Sequence, residues 1–223
     1  MPQPPRLGAE LGTVGVAALD DDVLLTEVLL QGDFSGGDHA RVTIEGSRIR
    51  DARIVGSGLP RSKLTDVVIE NADLSGADLD GSSFTRVQFR DCRMSGVILT
   101  RCRFSDVTVT NCRLDQADFR MSVARFVTFD DVDLSGGEFS DTVLENVGFL
   151  DCNLAGSEFS RSRTAGVRFH GSDLLDLKGG QYLGGSTIEM SQAFSLGLGV
   201  LSALDITVDD GPGSDPEAPG ERC

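Results

Sequence analysis

The side chains here that could do chemistry are five cysteines, two histidines and a large excess of carboxylates. Cys92, Cys102, Cys112 and Cys152 form the sulfur set that a metal or a disulfide would need, and Cys223 stands in the C-terminal tail. Structural zinc sites use cysteines two to four residues apart; that spacing does not occur in this chain. His39 and His170 each lack the Cys, Ser or carboxylate constellation of a nucleophile and its base. Neither G-x-x-x-x-G-K-[ST] nor G-x-G-x-x-G occurs, so no phosphate cradle is expected. The expectation is a protein that is not an enzyme and holds no cofactor or metal.

What the cysteines share is register. All four internal ones fall on one phase of a five-residue period. Steps of five from Phe34 to Leu174 give 29 central positions, of which 26 are Leu, Ile, Val, Met or Phe; His39, Ala124 and Thr164 depart. The position two before each centre, from Gly32 to Ser172, is Gly, Ala, Ser, Cys, Thr or Val in all 29 cases. A helix of period 3.6 or a strand of period 2 cannot bury residues five apart on one face. A chain that turns a corner every five residues can, sending one large and one small side chain inward from each side. Four sides make a coil of 20 residues, and coils stack at about 4.8 Å. Roughly seven coils over residues 32–176 then form a rod of about 35 Å. The cysteines become small buried hydrophobes. Cys92 and Cys112 lie one coil apart, and a reducing compartment would keep them as thiols.

The stretch Ala72-Asp73-Leu74-Ser75-Gly76-Ala77-Asp78-Leu79-Asp80-Gly81 resembles two copies of the A(D/N)LXX motif of pentapeptide-repeat proteins. The weaker pattern runs through about two-thirds of the chain. That resemblance implies an all-β fold: a right-handed quadrilateral parallel β-helix with a square cross-section and a short C-terminal helix.

Residues 20 apart should stack. Phe119, Phe139 and Phe159 form one expected column, and Phe129, Phe149 and Phe169 another on the opposite side. Asp51, Asn71, Asp91, Asn111, Asp131 and Asp151 form an outward corner ladder, since Asn and Asp tolerate turn geometry. Arg50–Glu70–Arg90 and Arg53–Asp73–Arg93 alternate in sign, each opposite pair worth about 0.2–1 kcal/mol.

The ends break the pattern. Residues 1–18 read as a flexible segment. Residues 19–31 read as an N-terminal cap or opening coil, with Leu24 and Leu29 at central positions. After Leu174 the register fails at Gly179, so 177–208 is an irregular last coil, a short helix within 190–204 and a closing strand Ile206-Thr207-Val208. Residues 209–223 read as a disordered acidic tail. The terminal unit resembles the C-terminal module of bacterial pentapeptide-repeat proteins. In relatives that act on DNA gyrase, that module joins two rods into a homodimer. Phe194, Leu198 and Leu201 are the candidate dimer or cap residues.

Function is left to the outer surface. The net charge is −15. Residues 1–31 carry 1 basic and 5 acidic side chains, residues 32–176 carry 17 and 23, and residues 177–223 carry 2 and 7. Duplex DNA carries one charge per about 1.7 Å, about 20 over such a rod, far more than the solenoid's own excess. Residues 86–125 hold eight Arg against four Asp, whereas residues 126–160 hold eight acids and no Lys or Arg. The candidate interaction surface is Asp118, Asp130, Asp131, Asp133, Glu138, Asp151 and Glu158. Net acidity opposes direct nucleic-acid binding. No apolar run crosses a membrane, and the N-terminus lacks a signal-peptide pattern, so a cytoplasmic location is expected. The expected function is a non-catalytic scaffold with an unknown protein partner. The alternative, implied by the resemblance, is a DNA-mimicking regulator or protector of a type II topoisomerase such as DNA gyrase. Loop-based protection is not expected, because no loop interrupts the register.

Overall fold

The structure, a computed structural model, describes residues 1–8, 11–15, 19–206 and 208. The chain winds as a parallel-strand β-solenoid of about 9 turns. Strands Lys63–Glu70, Ser83–Arg90, Arg103–Arg113, Val123–Asp133 and Val143–Leu150 pair in sequence order with a constant offset of 20, as in Leu64↔Phe84, Phe84↔Phe104 and Phe104↔Ala124. Central and small positions fill one continuous buried core from Leu19 to Leu183.

The four corners explain how the chain turns. Each uses a residue with positive φ, and each corner is a column. One runs Arg41, Arg61, Gly81, Arg101, Met121, Asp141, Arg161; a second Gly46, Asp66, Arg86, Asp106, Phe126, Asn146, Gly166. The third is the ladder Asp51, Asn71, Asp91, Asn111, Asp131, Asp151, and the fourth is mostly glycine: Gly36, Gly56, Gly76, Gly96, Gln116, Gly136, Gly156. The left-handed conformation favours Gly, Asn and Asp. The arginines and Phe126 that also adopt it are held by the stacked coils above and below.

Phenylalanines stack as the period requires. Phe119, Phe139 and Phe159 lie parallel with centroids 4.7 Å apart at each step, and Phe129, Phe149 and Phe169 with 5.1 Å. The two columns meet edge-on across the core, as in Phe139 against Phe149 at 87°.

The N-terminal end differs from the sequence reading. Leu25 and Leu30 are buried, whereas Leu24 is 60% exposed, so the central positions lie one residue beyond Leu24 and Leu29. Leu30 pairs with Ile49 at an offset of 19, and the register regains 20 between Leu30 and Gly32. One residue is missing from that side, which moves the whole first coil by one. Gly12–Val14 adds a further paired strand on Val28–Leu30. The solenoid is therefore longer than seven coils.

Residues 1–8, expected to be loose, lie along the second corner. The Gly8 N–H donates to the Gly46 carbonyl at 3.2 Å, the Arg6 N–H to Asp66 Oδ1 at 3.0 Å and the Gln3 N–H to Asp106 Oδ1 at 3.0 Å.

At the other end the last strand is Thr187–Ile188, on Arg168 and Phe169 with an offset of 19. Ile206 and Val208 lie outside any strand, and Thr207 is outside the described residues, so the expected closing strand is displaced to Thr187–Ile188. The tail 209–223 also lies outside the described residues. The helix α1 spans Ala193–Ala203, preceded by a 3-10 turn at Met190–Gln192. Gln192 is buried and ends the ladder: its Nε2 donates to the carbonyls of Phe169 at 2.5 Å and Ser172 at 2.7 Å. Those carbonyls would otherwise face an absent next coil.

Candidate interaction surfaces

The buried thiols belong to the core. The Cys102 N–H donates to Ser122 Oγ at 2.8 Å, and the Cys102 thiol donates to the Leu79 carbonyl at 3.2 Å. Ser172 serves the Cys152 N–H in the same way at 3.0 Å. The inward Ser and Cys side chains thus satisfy a backbone donor of the preceding coil as well as filling space. Burial pushes the Cys102 thiol up to about 12 and Cys152 to about 11. The hydrogen-bonded contact with Cys92, with burial behind it, pushes Cys112 up as well. Thiols held protonated are poor nucleophiles. Among the described residues, no three His, Cys, Asp or Glu side chains converge as a metal site would require. His170 Nδ1 meets Glu189 Oε1 at 3.4 Å on the surface.

On the outside, the corner ladder stacks as expected, and two of its neighbouring pairs are hydrogen-bonded. Asn71 Nδ2 donates to Asp51 Oδ1 at 2.5 Å, and Asn111 Nδ2 to Asp91 Oδ1 at 2.5 Å. Arg50 pairs with Glu70 at 2.5 Å, while Arg90, expected to complete that series, donates to Gln88 at 2.6 Å.

The expected acidic block is less uniform than its composition. Arginines of adjacent coils reach into it: Arg125 holds Glu145 at 2.7 Å, Arg161 holds Asp141 at 2.7 Å and Arg113 approaches Asp133 at 3.7 Å. The Arg125 guanidinium holds the Glu145 carboxyl below the usual range, and Arg161 does the same to Asp141. These pairs could have been found in the sequence, since all three obey the i, i+20 rule. Asp118 is taken up by Arg120 at 2.6 Å.

Of the seven candidate residues, Asp130, Asp131, Glu138, Asp151 and Glu158 have no ion-pair partner within 4.0 Å among the described residues. They fall into two groups. Asp131 and Asp151 occupy one corner, with Asp130 beside it. Glu138 and Glu158 are bridged neighbours in the column Asp118, Glu138, Glu158, Lys178. The bare corner Gly136 and Gly156 lies between the groups, with Asp133 on the intervening face. The Ser160 N–H donates to Glu158 Oε1 at 2.9 Å, fixing that side chain.

The helix α1 has two apolar stripes. Leu196 and Val200 face the last coil: a Cβ on Gly180 would lie 2.9 Å from Leu196 Cδ1 and 3.0 Å from Val200 Cγ2. Phe194, Leu198 and Leu204 point away, Phe194 being 75% exposed, and Leu201 is half-buried.

A model of the pentapeptide repeat region matches residues 62–135 and 103–178. The chain belongs to the pentapeptide-repeat family. Its similarity to solved structures is distant. Full-length QnrB1, a plasmid-mediated fluoroquinolone resistance protein, is 21% identical with a TM-score of 0.46, over 87% of this chain and 95% of that one. Rfr23 from the cyanobacterium Cyanothece 51142 is 14% identical with a TM-score of 0.31, over 64% and 91%. HetL from Nostoc sp. strain PCC 7120, a pentapeptide-repeat protein involved in heterocyst differentiation regulation, is 16% identical with a TM-score of 0.21, over 70% and 87%. No curated protein matches the chain. No helix among the described residues is long and apolar enough to cross a membrane.

Proposed function

We propose that this pentapeptide-repeat protein is a non-catalytic scaffold whose acidic faces dock a basic protein partner. The observation that carries this reading is the selective pairing of charge. Asp80, Asp115, Asp118, Asp133, Asp141 and Glu145 are each held or approached by an arginine, whereas Asp130, Asp131, Glu138, Asp151 and Glu158, on two consecutive coils, have no ion-pair partner among the described residues. A rigid stack presents such charges at fixed spacing and loses little entropy on binding. Self-association through the outer stripe Phe194, Leu198 and Leu201 would bring two acidic patches to the middle of a double rod. Capture from native lysate tests the proposal, comparing the intact protein with an Asp131→Lys/Glu138→Lys variant. The expected partner is lost on charge reversal; a partner retained in full refutes the acidic faces.

One observation favours a narrower reading, regulation of a type II topoisomerase by DNA mimicry. Two coils rise about 10 Å, a length over which duplex DNA carries about six charges, and the patch offers five unpaired acids in that span. A gyrase supercoiling assay separates the two readings. Inhibition or protection that disappears in the charge-reversed variant supports mimicry, and no effect at large excess eliminates it.

A further inference from the structure

The second corner carries a ligand that belongs to the chain itself. Residues 1–8 run along it, and their N–H groups make the contacts: Gly8 to the Gly46 carbonyl, Arg6 to Asp66 and Gln3 to Asp106. The spacing is matched. Asp66 and Asp106 are two coils apart, about 9.6 Å, and three residues of extended chain advance about 10 Å. Between these acceptors the corner residue is Arg86, a donor whose Nε and Nη2 are held by Asp66 at 2.7 Å each. The strap residues between its two contacts are Pro4 and Pro5, which have no N–H to leave unsatisfied. Pro2 follows the same logic on the far side of Gln3. Gly46 borders the path: the strap backbone passes within ordinary contact of it, Gly8 N and Arg6 O lying 3.8 and 3.9 Å from where a Cβ would stand.

We propose that this corner is a docking strip for an extended, proline-rich polypeptide, filled here by the chain's own N-terminal residues and open to a second polypeptide with N–H groups three residues apart. Proline holds an unbound peptide extended, which lowers the ordering cost of binding. The acceptor series continues past the strap. Asn146 occupies the same corner a further 40 residues on, and the groove beyond Met1 and Pro2 runs over Phe126 and Asn146 toward Arg168. A peptide in trans thus has one more acceptor available than the strap uses. The proposal goes beyond the acidic faces and does not depend on them.

The test uses the full chain and a fluorescein-labelled peptide, Met-Pro-Gln-Pro-Pro-Arg-Leu-Gly, followed by anisotropy. In the native protein the tethered strap competes at an effective concentration in the millimolar range. A Gln3→Pro/Arg6→Pro variant removes both strap donors and should bind the peptide at least tenfold more tightly. Asp66→Ala/Asp106→Ala in that background should cost at least tenfold. A peptide with proline at its third and sixth positions should lose the same, which leaves the protein untouched should the aspartate variant misfold. The Asp131→Lys/Glu138→Lys variant should bind the peptide as the native protein does, so failure of the acidic faces and failure of this strip are distinguishable. Equal affinity for native and Gln3→Pro/Arg6→Pro proteins, no saturable binding to either, or full binding by the proline-substituted peptide would each overturn the proposal.

Discussion

The ring of Phe139 lies parallel to that of Phe119 in the preceding coil, 4.7 Å between centroids and 7° between planes, and nearly perpendicular to Phe149 across the core. Each ring is therefore fixed from three directions: by the coil above, the coil below and the opposite wall. Offset and edge-on contacts of this kind add about 0.5–1.5 kcal/mol beyond area burial. Such a core resists local rearrangement, so the outer charges keep their places.

Phe139→Ala leaves a cavity that the stacked backbone cannot close, because both neighbouring coils are held by ladders of hydrogen bonds. The expected cost is about 3–5 kcal/mol. Chemical denaturation followed by circular dichroism would measure it, and unchanged stability would contradict the inward placement of this column.

Glycines with positive φ differ in what they protect. Gly76 has φ +65° and open space for 4 Å around the position a Cβ would take. At Gly179, φ +75°, a Cβ would stand 2.5 Å from Ser160 N and 2.6 Å from the Phe159 carbonyl carbon. Asn adopts positive φ readily, as Asn71, Asn111 and Asn146 do here. Gly76→Asn should therefore change stability by no more than about 1 kcal/mol. Gly179→Asn drives a side chain into the backbone of the previous coil and should displace the last turn, by about 1–3 kcal/mol or more. Equal thermal shifts for the two variants would refute this distinction.

The period made the core legible because every coil repeats one packing solution. Once the offset of 20 is known, Phe119 above Phe139 and Asn71 on Asp51 both follow from counting. The helix within 190–204 forms as expected, whereas the first coil and the closing strand differ because that count fails there. A single residue missing between Leu30 and Gly32 exchanges Leu24 for Leu25 as the buried side chain, and apolar residues at both positions hide the slip. The strap was illegible for a different reason. Its contacts are made by backbone N–H groups, so residues 1–8 need no apolar pattern. The one available signal was the alternation of prolines with Gln3 and Arg6, read against carboxylates 40 residues apart. In the candidate surface, counting acids within a sequence window missed the arginines, because neighbours on a solenoid are 20 residues away.

Acid should act on the corner pairs. The hydrogen bonds from Arg86 hold the Asp66 carboxyl below its ordinary value, with further lowering from the Arg6 N–H. A carboxyl whose pKa is depressed in the folded state contributes stability above its unfolded pKa, near 3.9, and loses it as pH falls through the lower folded value. Asp66→Asn should therefore unfold more easily than the native protein at pH 7, with the gap narrowing below about pH 4. The difference should be modest, because the pair sits near solvent and is screened by salt. Melting temperatures of both proteins from pH 7 to pH 2 would measure it. A gap that stays constant across that range would show that the charge of Asp66 contributes nothing.

The two stripes of the helix α1 should separate capping from self-association. Leu196 and Val200 close on Gly180, and Gln192 satisfies the last carbonyls, so this inner side belongs to the rod itself. Leu196→Ala/Val200→Ala should lower the melting temperature of the protein at any concentration. Phe194 and Leu198 are exposed on the opposite side, and Met190, in the 3-10 turn before α1, is 90% exposed. Phe194→Ser/Leu198→Ser should leave the melting temperature of the dilute protein unchanged, because these side chains are already in water. At tens of micromolar, light scattering should show the native chain at twice the monomer mass and the Phe194→Ser/Leu198→Ser variant at the monomer mass. A native protein that is monomeric at that concentration would remove the double rod and leave α1 as a cap alone.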